Sequence, residues 1–497
     1  MLNVKNIANV ASDREYALRQ EQFAGLNMFA DESLMSIEES PYAQNVIFDG
    51  GAIKRIEGFG QTVWNWDGTP VSLRQIPESV IELFEYQSRE GVEKGYKNLY
   101  FSASDGNLYG FELSASSGKV EAVLMENSDL TAQPITYFTQ YKTETANCAL
   151  LGGPLCRPHV FTEGGGVKAI SGKNKPYMSK TAMHYGRMFG IGDPAYPQRL
   201  WFSALNEPWN FEIGEEAGGY VEINDFIGDT IDVVSFFDTL YVFCRYGIVA
   251  VNALSTQREF SVENIYYTDS EIIKGSICIC GSTVLFATRR GIYALSGSSV
   301  SCLSNKIKNF FVENPPLCRK ESSAYFNGSY YLSFHKNGGE NGILIYSTVQ
   351  HDFIIRTQAD VQSMVVARDN VHEKLLVALT DALIILEWGA GDRATTSGVI
   401  ESVWRSPYNH WGIANGQKRI KEIHFTASGD GEMQFTVIAD GAEESRTVEL
   451  QQEPRVFRLP FDIAGDLVGL EIRNSYGSNF RVSPVTIIYT LERKAVR

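Results

Sequence analysis

Along this chain, short apolar runs come in pairs joined by a tight polar turn, and the second run of each pair begins with glycine. The pattern is clearest at residues 99–111 (LYFSASDGNLYGF), 240–251 (LYVFCRYGIVAV) and 284–295 (VLFATRRGIYAL). It returns more loosely at 330–346 and 375–386. Strand anchors at Leu99, Leu150, Met188, Leu240, Val284, Tyr330 and Leu375 are separated by 51, 38, 52, 44, 46 and 45 residues. A unit of about 40–50 residues with no helical period predicts the blades of a β-propeller. The anchors give seven blades. Six are also allowed, because Gly152-Gly153-Pro154, Gly164-Gly165-Gly166 and the segment 192–198 break the second and third units.

The ends of the chain read differently. Residues 1–39 are a polar arm, in which Ser12-Asp13 could cap a short helix over 14–22 that Gly25-Leu26-Asn27 would end. From Ser40 the chain reads SPYAQNVIFDGGAIKRIEGFG, two alternating strands around Asp49-Gly50-Gly51, which predicts a hairpin. Helical interruptions are predicted at 269–274, stopped by Gly275, and at 306–311 behind a Ser304 cap. At 389–398 (GAGDRATTSG) a linker is predicted, and beyond it the spacing shortens. Six strand candidates, 419–427, 432–439, 446–450, 455–459, 467–474 and 485–491, predict an antiparallel sandwich. The expectation is therefore an all-β chain: arm 1–39, β-propeller 40–390, linker 391–400 and C-terminal β-sandwich 401–497.

Composition agrees with strands: aromatic residues reach 12%, with 24 Tyr and 28 Phe, and the 44 Gly suit many tight turns. The net charge of −15 gives no general attraction to nucleic acid, whose phosphates need Lys and Arg. Such charge could still line a passage through which DNA slides without sticking. Cysteines number seven, an odd count, and Cys244, Cys278 and Cys280 lie in apolar strands, which predicts reduced core thiols. No apolar run approaches the ~18 residues of a membrane span, and the first residues lack a signal-peptide core. The chain is expected to be soluble and made in a reducing compartment.

Chemistry finds little support. Gly172-Lys173 lacks the upstream Gly and following Ser or Thr of a phosphate loop, having Val167 and Asn174 there, with Pro176 next. Gly190-Ile191-Gly192 runs into Asp193-Pro194, which blocks a phosphate-binding helix. Cys278-Ile279-Cys280 could place two thiols on one strand face, but no further ligand lies near in sequence, so neither metal nor cofactor is expected. The seven His stand at least thirteen positions apart, and no GxSxG occurs. Asp105-Gly106 resembles a sialidase Asp turn only off-register, and the acid pairs Glu38-Glu39 and Glu215-Glu216 fall in arm and loop. Trp64 and Trp66, and the group Trp404, Tyr408 and Trp411, could stack on sugars, although in β-rich chains such residues are more often core or interface anchors.

Three stretches resemble the β-propeller virion proteins of tailed phages, nearest to podoviral tail nozzle and packaged-DNA stabilisation proteins. They are 25–60, the pair 185–189 (YGRMF) and 199–203 (RLWFS) with Pro208-Trp209, and 275–311, together about a fifth of the chain. The resemblance implies a non-catalytic tail component assembling as a hexameric ring in the tail channel. Such a ring would contact neighbouring tail or connector proteins, with DNA passing through unrecognised, and would be assembled in the bacterial cytoplasm into the virion. It transfers no site residue. The C-terminal sandwich departs from the likeness and leaves two alternatives. One is a tail-tip or fibre-docking module that grips a partner or glycan through Trp404, Tyr408 and Trp411. The other is a propeller glycoside hydrolase.

Overall fold

The computed structural model describes residues 14–66, 69–125, 133–223, 225–254, 259–312, 321–336, 338, 341–368, 372–380, 382–413 and 416–492. Seven four-stranded antiparallel sheets follow one another in it, and all seven sequence anchors fall on the second strand of a sheet. Those second strands are Leu99–Ala103, Asn147–Gly153, Arg187–Ile191, Thr239–Cys244, Thr283–Thr288, Ser329–His335 and Glu373–Leu379. The apolar–turn–Gly–apolar pattern is thus the hairpin of second and third strands in each blade, for example Leu240–Val251 with Phe243 opposite Ile248.

The first strands form the hub: Val80–Glu85, Tyr137–Lys142, Lys180–His184, Thr230–Phe236, Cys278–Cys280, Ser323–Phe326 and Val361–Arg368. The first strand of blade 7 packs against that of blade 1, so the ring closes. The closure is sealed by one core in which Leu376, Ala378 and Ile385 of blade 7 meet Leu99, Phe101 and Phe111 of blade 1. The outermost strand of blade 7 comes from before blade 1: Gly58–Gln61 pairs antiparallel with Ile385–Gly391. Here glycine is needed for approach, since a Cβ on Gly60 would lie 2.3 Å from the Ala390 carbonyl oxygen.

Both ends of the chain build the sandwich. One sheet runs Glu15–Arg19, Thr486–Glu492, Gln417–Gly429, Phe480–Val482, Ala52–Arg55, Val46–Asp49, with Arg455–Gly465 also on Gln417–Gly429. The other runs Tyr42–Gln44, Ser402–Arg405, Val468–Asn474, Glu432–Ala439, Ala442–Glu449. Their inner faces meet at Phe425 and Phe435, stacked with centroids 4.2 Å apart.

Several expectations are corrected. The helix expected over 14–22 is an edge strand, Glu15–Arg19, whose side chains alternate between exposed and half-buried; its partner, Thr486–Glu492, lies at the far end of the chain and leaves no local signal. The hairpin around Gly50-Gly51 forms, but it belongs to the sandwich and not to the propeller, because Ile53 and Lys54 pair with Val482 and Arg481. Residues 269–274 are not helical: they bend and turn, with Ile272 bridged to Thr288 and Ile273 N–H donating to Ala287 O, which ties the segment to the second strand of blade 5. A 3-10 turn, Asn305–Ile307, and helix Lys308–Val312 do occupy the other expected site. Ser304 does not cap them; its hydroxyl accepts the Ile292 N–H instead. The linker begins inside the last strand of the propeller, which runs to Gly391.

Candidate functional site

The hub leaves a central cavity of about 580 Å³. Its wall is mostly small or apolar, with Ala182, Val234, Ile277, Ser323 and Val365 drawn from five blades and Glu85 from a sixth. Glu85 closes the first strand of blade 1, and one of its carboxylate oxygens is buried without a hydrogen-bond partner. Burial pushes its carboxyl up, against the pull of Arg368. Around the starts of the first strands lies a second charged group. Asp232 is buried, which raises its carboxyl, while Lys180 and Lys274 act in the opposite sense. Burial pulls the Lys180 ammonium down, but Glu82 and Asp232 outweigh it and hold the group above the usual lysine value.

The turns between second and third strands share the face on which the first strands begin, because successive strands of a blade are antiparallel. On that face Arg245 pairs with Asp229 at 3.1 Å, Arg289 with Glu271 at 2.9 Å and Arg290 with Asp269 at 2.7 Å. The turn arginines of blades 4 and 5 are therefore neutralised by acids from the connections between blades, and the rim presents paired charge.

The residues singled out from sequence are dispersed. Trp404 is fully buried, edge-on to Phe23 with centroids 4.7 Å apart, inside the sandwich core. Trp411 is half-buried against Tyr489, and the Tyr408 hydroxyl accepts the Gly441 N–H at 3.0 Å. These three side chains do not share an open groove, since Trp404 packs inward. Trp64 is also core, packed near Tyr96.

The glycine-rich loop at Gly172-Lys173 is filled by the protein itself. Glu212 accepts the Lys173 and Asn174 backbone N–H groups, and these bonds hold its carboxyl below the usual range. Gly190 and Ile191 end a blade strand, and Asp193 accepts the Ala195 N–H in the following turn. Of the Cys278–Cys280 pair, Cys280 is buried and Cys278 half-buried. No cluster of three His, Cys, Asp or Glu suited to a metal ion occurs among the described residues. Asp105 is occupied within its own turn: it accepts bonds from the Asn107 N–H at 2.9 Å and the Tyr109 hydroxyl at 2.7 Å. Glu39 pairs with Lys306 at 3.1 Å and serves to dock the N-terminal segment on blade 5.

Two groups with unusual chemistry had no sequence signature. One is Arg356, wholly buried, whose guanidinium donates to the carbonyl oxygens of Thr357 and Ala394 and is pulled down to about 10 by burial. The other is His335, set between Glu321 and Asp360. Partners 14 and 25 positions away cannot be found from local spacing.

No family model matches the sequence, and no curated protein matches it. Among solved structures, the chain is similar to Raptor from Chaetomium thermophilum, with 8% identity and a TM-score of 0.43 over 68% of this chain and 29% of that one. It is similar to PorZ, a surface component of the type-IX secretion system of Porphyromonas gingivalis, with 12% identity and a TM-score of 0.40 over 67% of this chain and 42% of that one. The C-terminal WD40 domain of Sif2 gives 8% identity and a TM-score of 0.38, covering 67% of this chain and 98% of that one. The chain thus spans less than half the length of Raptor and PorZ, and likenesses at these scores carry no functional argument.

Proposed function

We infer that this chain is a structural component of a bacteriophage tail that assembles as a ring and forms or closes the passage for the genome. The observation that carries this reading is mechanical. Propeller and sandwich share one hydrophobic core, in which Phe310, Phe334 and Tyr346 of the propeller lie with Phe23, Trp404 and Phe435 of the sandwich. Two domains joined this way move as one block, which suits a part that bears load and passes it to neighbours. The likeness of residues 25–60, 185–209 and 275–311 to tailed-phage virion propellers supplies the setting. The charge of −15 suits a wall along which DNA moves without being held. Neighbouring tail proteins are the partners this role requires.

The glycan-binding alternative loses its proposed aromatic groove, because Trp404 is buried. Mass photometry of the purified chain over a concentration series tests the proposal. A species at a fixed multiple of 55.4 kDa supports it. A single-chain mass at every concentration overturns self-assembly.

A further inference from the structure

Blades 6 and 7 are joined by a buried imidazole that touches a carboxylate on each side. His335 ends the second strand of blade 6, Glu321 precedes the first strand of that blade, and Asp360 precedes the first strand of blade 7. His335 Nδ1 lies 2.8 Å from Glu321 Oε2, and Nε2 lies 2.9 Å from Asp360 Oδ1. Each contact needs a hydrogen between nitrogen and oxygen, but a neutral imidazole carries only one. The same two oxygens also accept hydroxyls, Glu321 Oε2 from Ser333 at 3.2 Å and Asp360 Oδ1 from Thr380 at 3.0 Å. The Ser333 hydroxyl oxygen is itself engaged by the Ser322 N–H at 2.8 Å, so its proton is directed at Glu321. Burial raises the Glu321 carboxyl and makes it the rival seat for this proton, but the bonds from His335 and Ser333 favour its charged form, and the proton that completes the network is assigned to His335.

We propose that Glu321, His335 and Asp360 form a proton-held clasp between blades 6 and 7, closed by imidazolium and released when that proton is lost. Without it, one nitrogen lone pair would face a carboxylate oxygen, and two negative charges would remain with no cation between them. The second carboxylate oxygen of Glu321 is buried without a hydrogen-bond partner among the described residues, and apart from the imidazole only the Ser333 hydroxyl and the His335 backbone N–H favour its charge. Lys336 cannot substitute, since its ammonium lies over the Phe310 ring, 3.5 Å from the centroid. Tyr330, the other titratable group near Glu321, donates its hydroxyl to Ser276 O at 2.6 Å. Release would be felt across the seam, because Thr380 in the blade 7 turn is tied to Asp360 twice, its hydroxyl to the carboxylate at 3.0 Å and its N–H to the backbone carbonyl at 2.9 Å. A cavity of about 710 Å³ opens there, lined by Asp360, Thr380 and by Thr395 and Thr396 of the connection to the sandwich.

The bonds to Glu321 and Asp360 outweigh burial and hold His335 above the ordinary 6.5. A proton bound more tightly in the folded than in the unfolded chain stabilises fully below the unfolded value, and the gain is lost as pH rises through the folded one.

The test is an NMR titration of the full chain labelled with ¹³C-histidine, with His335→Gln assigning the resonance, alongside thermal unfolding from pH 6 to 9. The expected result is a His335 midpoint above 6.5 and a wild-type Tm that falls with pH more steeply than that of His335→Gln. Should that variant fail to fold, Asp360→Asn, at a half-exposed position, is expected to lower the His335 midpoint and flatten the Tm profile. Hydrogen exchange, corrected for its intrinsic pH dependence, should quicken at Thr380 above the midpoint. A His335 midpoint at or below 6.5, or identical Tm profiles for wild type and Asp360→Asn, overturns the clasp.

Discussion

Asn45 and Thr357 bind each other twice: the Asn45 amide donates to Thr357 Oγ1 at 2.9 Å, and its Oδ1 accepts the Thr357 N–H at 2.9 Å. Asn45 belongs to the sandwich segment and Thr357 ends the outer strand of blade 6, so this pair is a junction of the two domains. A third bond, from the Asn45 amide to Glu401 O at 2.7 Å, adds the chain leaving the propeller. Asn45 has φ +56°, a conformation asparagine tolerates better than most residues.

Asn45→Ala is expected to cost about 2–4 kcal/mol, from buried groups left unpaired and a left-handed residue without its compensating bonds. Urea denaturation checks this. If the junction couples the domains, the variant will also unfold less cooperatively than wild type.

Arg356 supports the same junction from beneath, with no carboxylate partner among the described residues. Its hydrogen bonds run to Ala394 O at 2.7 Å and to Thr357 O, and its guanidinium lies 5.4 Å from the Phe59 ring centroid. Arg356→Ala should cost roughly 3 kcal/mol or more, through lost charge-assisted bonds and an unfilled space. The midpoint of denaturation gives the value, and an unchanged midpoint would contradict the role.

Ring closure rests on glycine at position 60. Gly60→Val would drive a side chain against the Ala390 carbonyl and part Gly58–Gln61 from Ile385–Gly391. A loss of about 1–3 kcal/mol is expected, together with new protease sensitivity near residue 60. Gln61→Val on the same strand, exposed but donating to Leu73 O at 2.7 Å, is the control and should lose no more than that one bond, about 1 kcal/mol.

How much of this was legible beforehand differs between the two domains. Apart from the outermost strand of blade 7, each blade is a local meander, so Leu99, Leu240 and Val284 announce their strands with partners nearby in sequence, at Glu85, Ser235 and Ile279. The sandwich is not local. Tyr16 faces Tyr489, and Ala43 faces Trp404, pairings across nearly the whole chain. Alternation reveals that such residues are strands but not which sheet receives them, which is why the hairpin at Gly50-Gly51 was placed with the propeller. The short strands Ser402–Arg405 and Phe480–Val482 escaped notice for the same reason. For Trp404 the sequence leaves core anchoring and sugar stacking both open, because tryptophan suits either, and only Phe23, 381 positions earlier, decides between them.

Trp404→Ala should accordingly act as a core deletion, costing about 3–5 kcal/mol. Its readout is thermal or urea stability. A variant with wild-type stability and altered binding to a glycan surface would restore the sugar-stacking reading.

In the channel, Glu85 is an acid whose ionisation the fold opposes. Its folded value is raised by burial, so the cost is absent at pH below the unfolded carboxylate value and complete above the folded one. Glu85→Gln should therefore match wild type at acid pH and be the more stable of the two near neutrality. Paired Tm measurements across pH 4 to 8 decide it. A Gln variant less stable at pH 8 than wild type would mean that the pull of Arg368 outweighs burial at Glu85.

The central claim, that this propeller–sandwich block is a ring component, is tested most directly by negative-stain imaging of the purified chain at rising concentration. The account predicts closed rings of several copies with a hole along the axis. Isolated two-lobed particles throughout, with no ring at any concentration, would contradict it.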